Sequence, residues 1–572
     1  GQFKEWRYFN PLLNKYFKKT QFYGIVSTCL KKIKKRDDKM KRNILIGGAW
    51  PYANYLLHIG HLSALLPGDV IARYYRGNGD NVVYVSGTDS HGTPITQRAK
   101  KENKTPEQIA SFYHEEFKKS FLKAEFSYDY YGCTFEKYHE DEVKKLFKLI
   151  YDNGYIYEKE ENEDFCPKCN IFLSDRDIIG TCPKCGGHAT GEQCDDCLTT
   201  LEAKEVLNKK CKNCLENTIT KPNKHLYFKL SAFQDEINKY VENHKDKWRK
   251  NAYGETKKFL SMGLIDRAAT RELSWGIEVP ISGYEDKRIY VWIEAVMGYL
   301  STCKKVLEEK NMNFEEFIKD PNLKSYYAHG KDNIPFHTVI YPALIMAMKN
   351  NYNLPEYIVS GEYINMNDEK MSKSKGNLLT VNDLVDMYGA ETIRYYMIAN
   401  GPEKKDVNFT KSDLIQAHNK FLVGVLGNFV NRNLSFISKK FDGNITEGNI
   451  DPKIREITKE KYQKIGLLIE QAELKSALEE VFDYINLGNK YYDENTPWVA
   501  VKEDINKFND ITYTCIYMIS NIANLINPFL PETSKKIKLM LNLNDFKWDE
   551  EIIKGNIKIN NLQLLFNRID EV

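Results

Sequence analysis

The sequence predicts an α/β protein built on a doubly wound parallel sheet, interrupted by a cysteine-rich insert and followed by an all-α helical bundle. Three observations predict it. Apolar runs such as Ile44-Leu45-Ile46 and Val82-Val83-Tyr84-Val85 have the unbroken hydrophobicity of strands buried on both faces, and helical patterns alternate with them. Eight of the 12 cysteines fall between Cys166 and Cys214. After about Thr410 the strand signals fade, and Leu414, Phe421, Leu422, Val425, Leu426 and Phe429 recur at helical spacing, a pattern that continues to Leu530.

At 572 residues the chain holds roughly three or four domains and a sizeable core. Hydrophobic content of 42% and charged content of 28% describe a soluble globular protein. A net charge of +3 does not by itself mark a nucleic-acid binder, so a basic patch must come from local arrangement. The longest apolar run, Thr338 to Met348, is about half of a membrane span. No membrane contact and a cytoplasmic location are expected. Residues 1–39 form a basic N-terminal extension, with the run Lys31-Lys32-Ile33-Lys34-Lys35-Arg36 and too few arginines and serines for a transit peptide. The body of the protein is expected to begin near Met40.

The first strand ends in Pro51-Tyr52-Ala53-Asn54-Tyr55-Leu56-Leu57-His58-Ile59-Gly60-His61, which leads into the helix opening Leu62-Ser63-Ala64-Leu65-Leu66. A strand that feeds a helix through a tight turn aims backbone N–H groups and a positive dipole end at one spot. Two histidines three apart, with a glycine between them that admits a ligand, suit a polyphosphate there. The alternative is two polar residues at a loop edge. The second strand ends in Gly87-Thr88-Asp89-Ser90-His91-Gly92, polar residues at the carboxyl end of a buried parallel strand, where open α/β sheets bind ligands. Asp89 or His91 can instead cap the next helix.

The insert carries four C-x-x-C pairs: Cys166/Cys169, Cys182/Cys185, Cys194/Cys197 and Cys211/Cys214. Two such pairs complete a tetrahedral Zn²⁺ site with four thiolates and no open position, so eight thiols make two full sites, for one or two structural zinc ions. Redox pairs or iron–sulfur clusters are the alternative. Spacing leaves the pairing open, but the inner pairs are nearest in sequence, which favours a nested arrangement over a crossed one. Domain limits follow: 40–160 for the first half of the catalytic domain, 161–225 for the insert, and 226–369 for the second half with the remaining connective segment. Residues 370–410 form a loop and stem-contact region, 411–545 the helical domain, and 546–572 a C-terminal tail.

In the second half, Val291-Trp292-Ile293-Glu294-Ala295-Val296-Met297-Gly298-Tyr299 brings aromatics onto an apolar segment. Tyr326 to His337, which includes Gly330 and Asp332, mixes polar and aromatic residues as a pocket rim or a core does. Lys370-Met371-Ser372-Lys373-Ser374-Lys375-Gly376-Asn377 reads as a loop whose ammoniums close over phosphates, or as a solvated basic turn. In the bundle, Asn428 and Arg432 share a helix face, and Trp498 follows Pro497 in a break between helices. An exposed Trp beside Asn and Arg suits stacking and edge-reading of unpaired bases; a buried one is core.

Taken together, these stretches give the chain a resemblance to the class I aminoacyl-tRNA synthetases. His58-Ile59-Gly60-His61 matches that class's first signature and Lys370 to Ser374 its second, residue for residue. The zinc insert, Ala49-Trp50-Pro51-Tyr52 and Trp292 to Tyr299 narrow it to the methionyl members, over about residue 40 to the C-terminus. The resemblance implies a Rossmann-type catalytic domain, and the activation of methionine by ATP to an adenylate that is passed to the terminal adenosine of tRNA(Met). It implies that His58, His61, Lys370 and Lys373 are catalytic, holding the phosphates of ATP with Gly60, and that Gly330 and Asp332 contact the ribose. Ala49, Tyr52, Asp89, Trp292, Ala295, Tyr299 and His337 would bind methionine, with Asp89 on its ammonium. Asn428, Arg432 and Trp498 would read the anticodon. Mg²⁺ would accompany ATP.

The chain departs from the family in places. Glu294-Ala295-Val296 stands where the family often has Asp-Ala-Pro, and Gly424 where some members have an anticodon-facing Asn. Eight cysteines match the two-zinc form, whose four-cysteine relatives keep the inner pairs; this supports nesting. The family's appended C-terminal dimerisation domain has no counterpart before Val572, so a monomer is expected. Rival readings are a nucleotidyltransferase without tRNA, another class I synthetase for a small apolar amino acid, and a zinc-containing RNA-binding protein without catalysis.

Overall fold

In the computed structural model the described residues are 41–570, apart from 192–193, 198–200, 202, 367–368 and 371–378. The extension of residues 1–39 and Lys373 lie outside them, and the elements below belong to the compact unit Asn43–Val572.

Ile44, Leu45 and Ile46 are wholly buried in β1 (Asn43–Gly48), because successive side chains enter cores on opposite faces of one sheet. Ile44 and Ile46 join α1 (Ile59–Gly77) on one face, whereas Leu45 packs with Val83 and Val85 of β2 (Asn81–Thr88) on the other. Then come β3 (Tyr130–Cys133), α2 (Lys137–Asp152) and the long strand β4 (Ile156–Cys166). β4 pairs antiparallel with β5 (Ile219–Phe228), from Ile156 opposite Phe228 to Phe165 opposite Ile219. This ladder is an arm with residues 166–214 at its tip, and its outer positions are charged.

The second half supplies α3 (Val291–Glu309), β6 (Lys324–Gly330) and β7 (Tyr357–Gly361). The five-stranded sheet runs β3-β2-β1-β6-β7, all parallel. Strand order reverses between β1 and β6, so a ligand crevice opens outside their carboxyl ends, at Gly48 and Gly330. α3 covers the far face through Val296, Met297 and Leu300.

Beyond β8 (Ile364–Met366) and β9 (Glu369–Lys370), the chain turns helical. The elements that matter below are α4 (Ala390–Ala399), α5 (Asn428–Phe441), α6 (Pro452–Glu470), α7 (Leu474–Asn495), α8 (Pro497–Glu503), α9 (Ile505–Ile526) and α10 (Pro531–Leu541). The segment leading into α5, His418–Gly427, is π-helical and contains Gly424. The tail folds back across both domains: the Trp548 ring packs edge-on against Tyr74 of α1 at 5.0 Å and Tyr462 of α6 at 5.6 Å. No helix of the described residues is long and apolar enough to cross a membrane.

Candidate active site

His58 is the N-cap of α1, in extended conformation at φ −124°. Its Nδ1 accepts the Gly60 N–H at 3.0 Å, and the Nδ1 of His61 accepts the His58 N–H at 3.1 Å. This is a reciprocal capping box made of two imidazoles. Because each Nδ1 is an acceptor, each ring proton resides on Nε2, at the end that points away from the helix backbone. The rings lie 4.0 Å apart between centroids. A Cβ on Gly60 would come within 2.8 Å of the His58 ring, so only glycine leaves the cap its room.

Both roots of the segment 371–378 are fastened beside this mouth. Lys370 of β9 pairs with Asn365 of β8, and Ile364 of the same strand is 4.0 Å from where a Gly60 Cβ would stand. At the other root, Thr380 bridges to His58, and the Val381 N–H donates to Leu57 C=O at 2.9 Å. The lysine-bearing stretch therefore starts and ends at the helix that carries the two histidines.

The polar end of β2 lies alongside. Asp89 pairs with the turn after β1: its N–H donates to Pro51 C=O, and the Ala53 N–H donates to its own C=O. Its side chain is buried and Oδ1 meets no donor, and burial together with Glu294 pushes its carboxyl well above the usual carboxylate range. Neither Asp89 nor His91 caps the following helix Thr93–Lys101, which starts at Gly92 without a side-chain cap bond. An acid with one buried oxygen left without a donor is fitted to a cation that arrives with a ligand. The Tyr52 hydroxyl donates to His91 C=O at 2.8 Å, and burial, then Asp89, raise its phenol.

Trp292 stacks flat on Phe336, 4.1 Å between centroids and 8° between planes, and stays 37% exposed. Tyr299 lies deeper; a Cβ at Gly47 would stand 2.7 Å from its ring. His337 Nδ1 donates to Asn333 C=O at 2.8 Å, so Nε2 accepts from the Tyr299 hydroxyl at 2.7 Å. Burial pushes His337 down to about 4, which keeps that ring neutral. Ala295 is buried one turn before Tyr299, and the Ala49 N–H donates to Ala328 C=O at 2.9 Å, tying the end of β1 to β6. The result is an aromatic, nearly apolar wall with one acid at its entrance. Gly330 ends β6 with open space where a Cβ would project, and Asp332 in the turn beyond accepts from the Tyr363 hydroxyl.

The eight insert cysteines form two groups, Cys166/Cys169/Cys211/Cys214 and Cys182/Cys185/Cys194/Cys197, each with all Sγ atoms within 4.8 Å of one another. This is the nested arrangement. Sulfur separations of 3.4 Å (Cys166–Cys214), 4.0 Å (Cys169–Cys211), 3.8 Å (Cys182–Cys197) and 3.5 Å (Cys185–Cys194) are too long for disulfides. They match the edge of roughly 3.8 Å that a tetrahedral site with ~2.3 Å metal–sulfur bonds requires. Both groups can hold a metal ion.

In the bundle, Arg432 donates to Asp493 Oδ1 at 2.7 Å and to Asn489 C=O at 2.6 Å, and its guanidinium lies 4.3 Å over the Tyr492 ring. Tyr492 in turn contacts Trp498, 43% exposed, and Asn428 donates to Asn489 Oδ1 at 3.2 Å. The three residues thus share one surface, where α5 and α7 meet α8. Thr496, the αL residue before Pro497 at φ 41°, sets the turn that projects Trp498; a β-branched residue holds that conformation only where its surroundings enforce it.

Sequence reasoning missed several partners. Phe336 backs Trp292, and its one signal is adjacency to His337. Trp50 sits between Gly87 and Gly298, whose Cβ atoms would come within 2.6 Å and 2.5 Å of its ring. The buried His91–Glu294 pair at 2.6 Å joins residues far apart along the chain and leaves no local signature.

Residues 44–434 match the family model described as tRNA synthetases class I (M), and residues 444–563 the one described as anticodon binding domain of methionyl tRNA ligase. The methionine–tRNA ligase 1 of Alkaliphilus oremlandii is 46% identical over 529 residues, which cover 92% of this chain and 98% of that protein. The methionine–tRNA ligase of Bacillus mycoides is 44% identical over 530 residues, covering 92% and 97%. A structure of the Mycobacterium tuberculosis methionyl-tRNA synthetase in complex with methionyl-adenylate shares the fold, at TM-score 0.75 and 22% identity, over 92% of this chain and 100% of that one. On the family match and the relatives' identity, the chain belongs to the class I tRNA synthetases of the methionine type, the methionine–tRNA ligases.

Proposed function

We propose that this methionine–tRNA ligase activates its amino acid in the crevice between β1 and β6, with the residue roles as follows. A carboxylate oxygen of methionine attacks the α-phosphorus of ATP; the new P–O bond forms as the bond to pyrophosphate breaks. The nucleophile is already ionised at neutral pH, so no general base is required. Rate comes from alignment and from charge neutralisation on the transferring group. The Nε2–H groups of His58 and His61 supply two donors at a helix N-terminus, and the ammoniums of Lys370 and Lys373 neutralise phosphate charge. Gly330 and Asp332 receive the ribose. Asp89 takes the ammonium of methionine, and Tyr52, Trp292, Ala295, Tyr299 and His337 enclose the thioether, for which a polarisable aromatic wall is suited. Mg²⁺ arriving with ATP would screen the phosphate charge further. A hydroxyl of the terminal adenosine of tRNA(Met) then attacks the acyl carbon, while Asn428, Arg432 and Trp498 hold the anticodon.

One observation carries this reading: the imidazole capping box and both roots of the lysine loop share one helix mouth. Zinc is the metal that four-thiolate sites of this size select, and its part is structural. The reading includes a cytoplasmic location, since thiols grouped as metal ligands suit a reducing compartment, and a monomer. Methionine-dependent ATP–pyrophosphate exchange tests it. His61→Ala should lower exchange by about 10²–10³-fold with the fold intact. Exchange at the wild-type rate in that variant would remove the histidines from the chemistry.

A further inference from the structure

The turns that follow β6 and β7 lie side by side. Gly330 and Gly361 are paired in register where these parallel strands end, and Asp332 and Tyr363 each stand two residues further on. There the two side chains meet: the Tyr363 hydroxyl donates to Asp332 Oδ1. The mechanism above gives Asp332 to the ribose and gives Tyr363 no part.

Tyr363 is fastened from several sides. Its N–H donates to Asp406 Oδ1 at 2.8 Å, and its C=O accepts the Val407 N–H at 3.0 Å. One residue back, the Glu362 N–H donates to Pro402 C=O at 2.8 Å. The ring is held as well. The Lys331 ammonium lies 3.9 Å from its centroid and is itself fixed by Glu362 Oε2 at 2.9 Å and Asp406 Oδ1 at 2.7 Å. A cation so placed attracts the ring face. Ile364, the next residue, opens β8, the strand that pairs with β9 and its Lys370. Phenol, ribose turn and lysine-loop root are thus tied together within one short stretch.

An aspartate side chain turns readily about χ2, whose profile is broad and two-fold. A hydroxyl that fixes one oxygen aims the other, and a carboxylate has acceptor capacity at both. An acid held this way before the ligand arrives loses less freedom when a ribose hydroxyl docks.

We infer that Tyr363 is a positioning residue for the nucleotide: its hydroxyl holds one oxygen of Asp332 so that the carboxylate presents the other to a ribose hydroxyl of ATP. The inference rests on Asp332 receiving the ribose. Its signature is selectivity, because a site built to bond a hydroxyl rejects an analogue that lacks it. The wild type should lose kcat/KM on 2′-deoxy-ATP or on 3′-deoxy-ATP, whichever lacks the hydroxyl that the carboxylate takes. That penalty should shrink when the carboxylate is no longer aimed.

The test is methionine-dependent pyrophosphate exchange by the full chain with ATP and each of the two deoxy analogues. Tyr363→Phe keeps the ring over Lys331 and removes only the hydroxyl. It should raise the KM for ATP by about 3–10-fold, shrink the deoxy penalty by a similar factor, and leave the KM for methionine at the wild-type value. An unchanged penalty overturns the inference, and so does a KM for methionine that rises as much as that for ATP. Lys331→Met, which removes the cation from the ring and leaves the hydroxyl, is the second variant should Tyr363→Phe not fold: a reduced penalty supports the clamp, and a wild-type penalty overturns it. Asp332→Ala separates the two levels. No penalty in the wild type, or one kept at full size in Asp332→Ala, would sink the ribose assignment itself. A penalty lost in Asp332→Ala but intact in Tyr363→Phe would sink only the role of Tyr363.

Discussion

A glycine with an ordinary backbone controls the chemistry at the α1 mouth. Gly60 is there because a methyl group on it would occupy the space of the His58 imidazole. Gly60→Ala should displace that ring, break the capping box, and cut pyrophosphate exchange by at least tenfold, with a loss of stability of about 1 kcal/mol for the cap. Measuring kcat and thermal unfolding on the same preparation separates the two. Trp498 makes the opposite case, a large side chain with little packing duty. Trp498→Ala should cost about 1–3 kcal/mol of tRNA affinity, the worth of one stacked base, and leave exchange unchanged. A fall in both would mean that the indole braces α8. Residue types and spacing made these two sites legible: a histidine pair at a strand–helix turn, and an indole after a proline. They did not reveal Phe336 under Trp292 or Glu294 against His91, because nothing local in the sequence marks a partner brought in by another element.

Elements meet at one buried arginine. Arg394 of α4, 1% exposed, donates to Asp69 of α1 at 2.7 Å, to the carbonyls of Ala124 and Glu125, and to those of Pro528 and Phe529 after α9. It thereby joins the catalytic domain to the bundle. Burial alone would raise the Asp69 carboxyl, but Arg394 and Arg73 pull it far below the usual carboxylate range. The stability this gives is present above the unfolded value of ~3.9 and is lost as pH falls through the lower folded value. Arg394→Leu should cost about 1–3 kcal/mol: Asp69 keeps Arg73 at 2.8 Å and Ser127, but the carbonyls of Ala124, Glu125, Pro528 and Phe529 lose their buried donor. Nearby, burial and then Glu391 push Glu125 up to about 8. Glu391 is occupied by the backbone N–H groups of Glu532 and Thr533 at the start of α10. Here the sign is opposite: the contribution is complete below the unfolded carboxylate value and is lost as pH rises through about 8. A series of melting temperatures against pH should show a decline between the unfolded carboxylate value and about 8 in the wild type that flattens in Glu125→Gln. A sequence does not announce such junctions, since Asp69 and Arg394 each read as ordinary helix residues until the helices cross.

At the scale of the whole molecule, the arm is the part that can fail alone. Among the described residues its tip buries small clusters, Leu173 and Ile178 around one cysteine group and Ala189, Leu201 and Val206 around the other. Such clusters are too small to order the segment without metal. Chelation should expose the amides of residues 166–214 to hydrogen exchange and depress aminoacylation, with ATP affinity unchanged; full protection after metal loss would contradict this. The cysteine groups were legible because C-x-x-C pairs advertise themselves. The ladder that carries them was not, for β4 is a nearly unbroken charged run without strand alternation and its partner β5 is far along the chain. The backward fold of the tail onto Tyr74 was equally hidden, as one tryptophan in a polar stretch has no period.

Helix α1 carries both histidines at its first turn, and near its last turn the Tyr74 hydroxyl donates to Glu470 of α6 at 3.0 Å while the ring abuts Trp548. Its 19 residues make a rod of about 28 Å, clamped by the bundle at one end and holding two proton-bearing nitrogens at the other. A lever of that kind converts a tilt at its remote grip into a sideways shift at its tip. Glu470→Gln, a substitution remote from any phosphate, should therefore register as a slower adenylation step before it registers as a lower melting temperature, and stopped-flow burst rates will show which comes first.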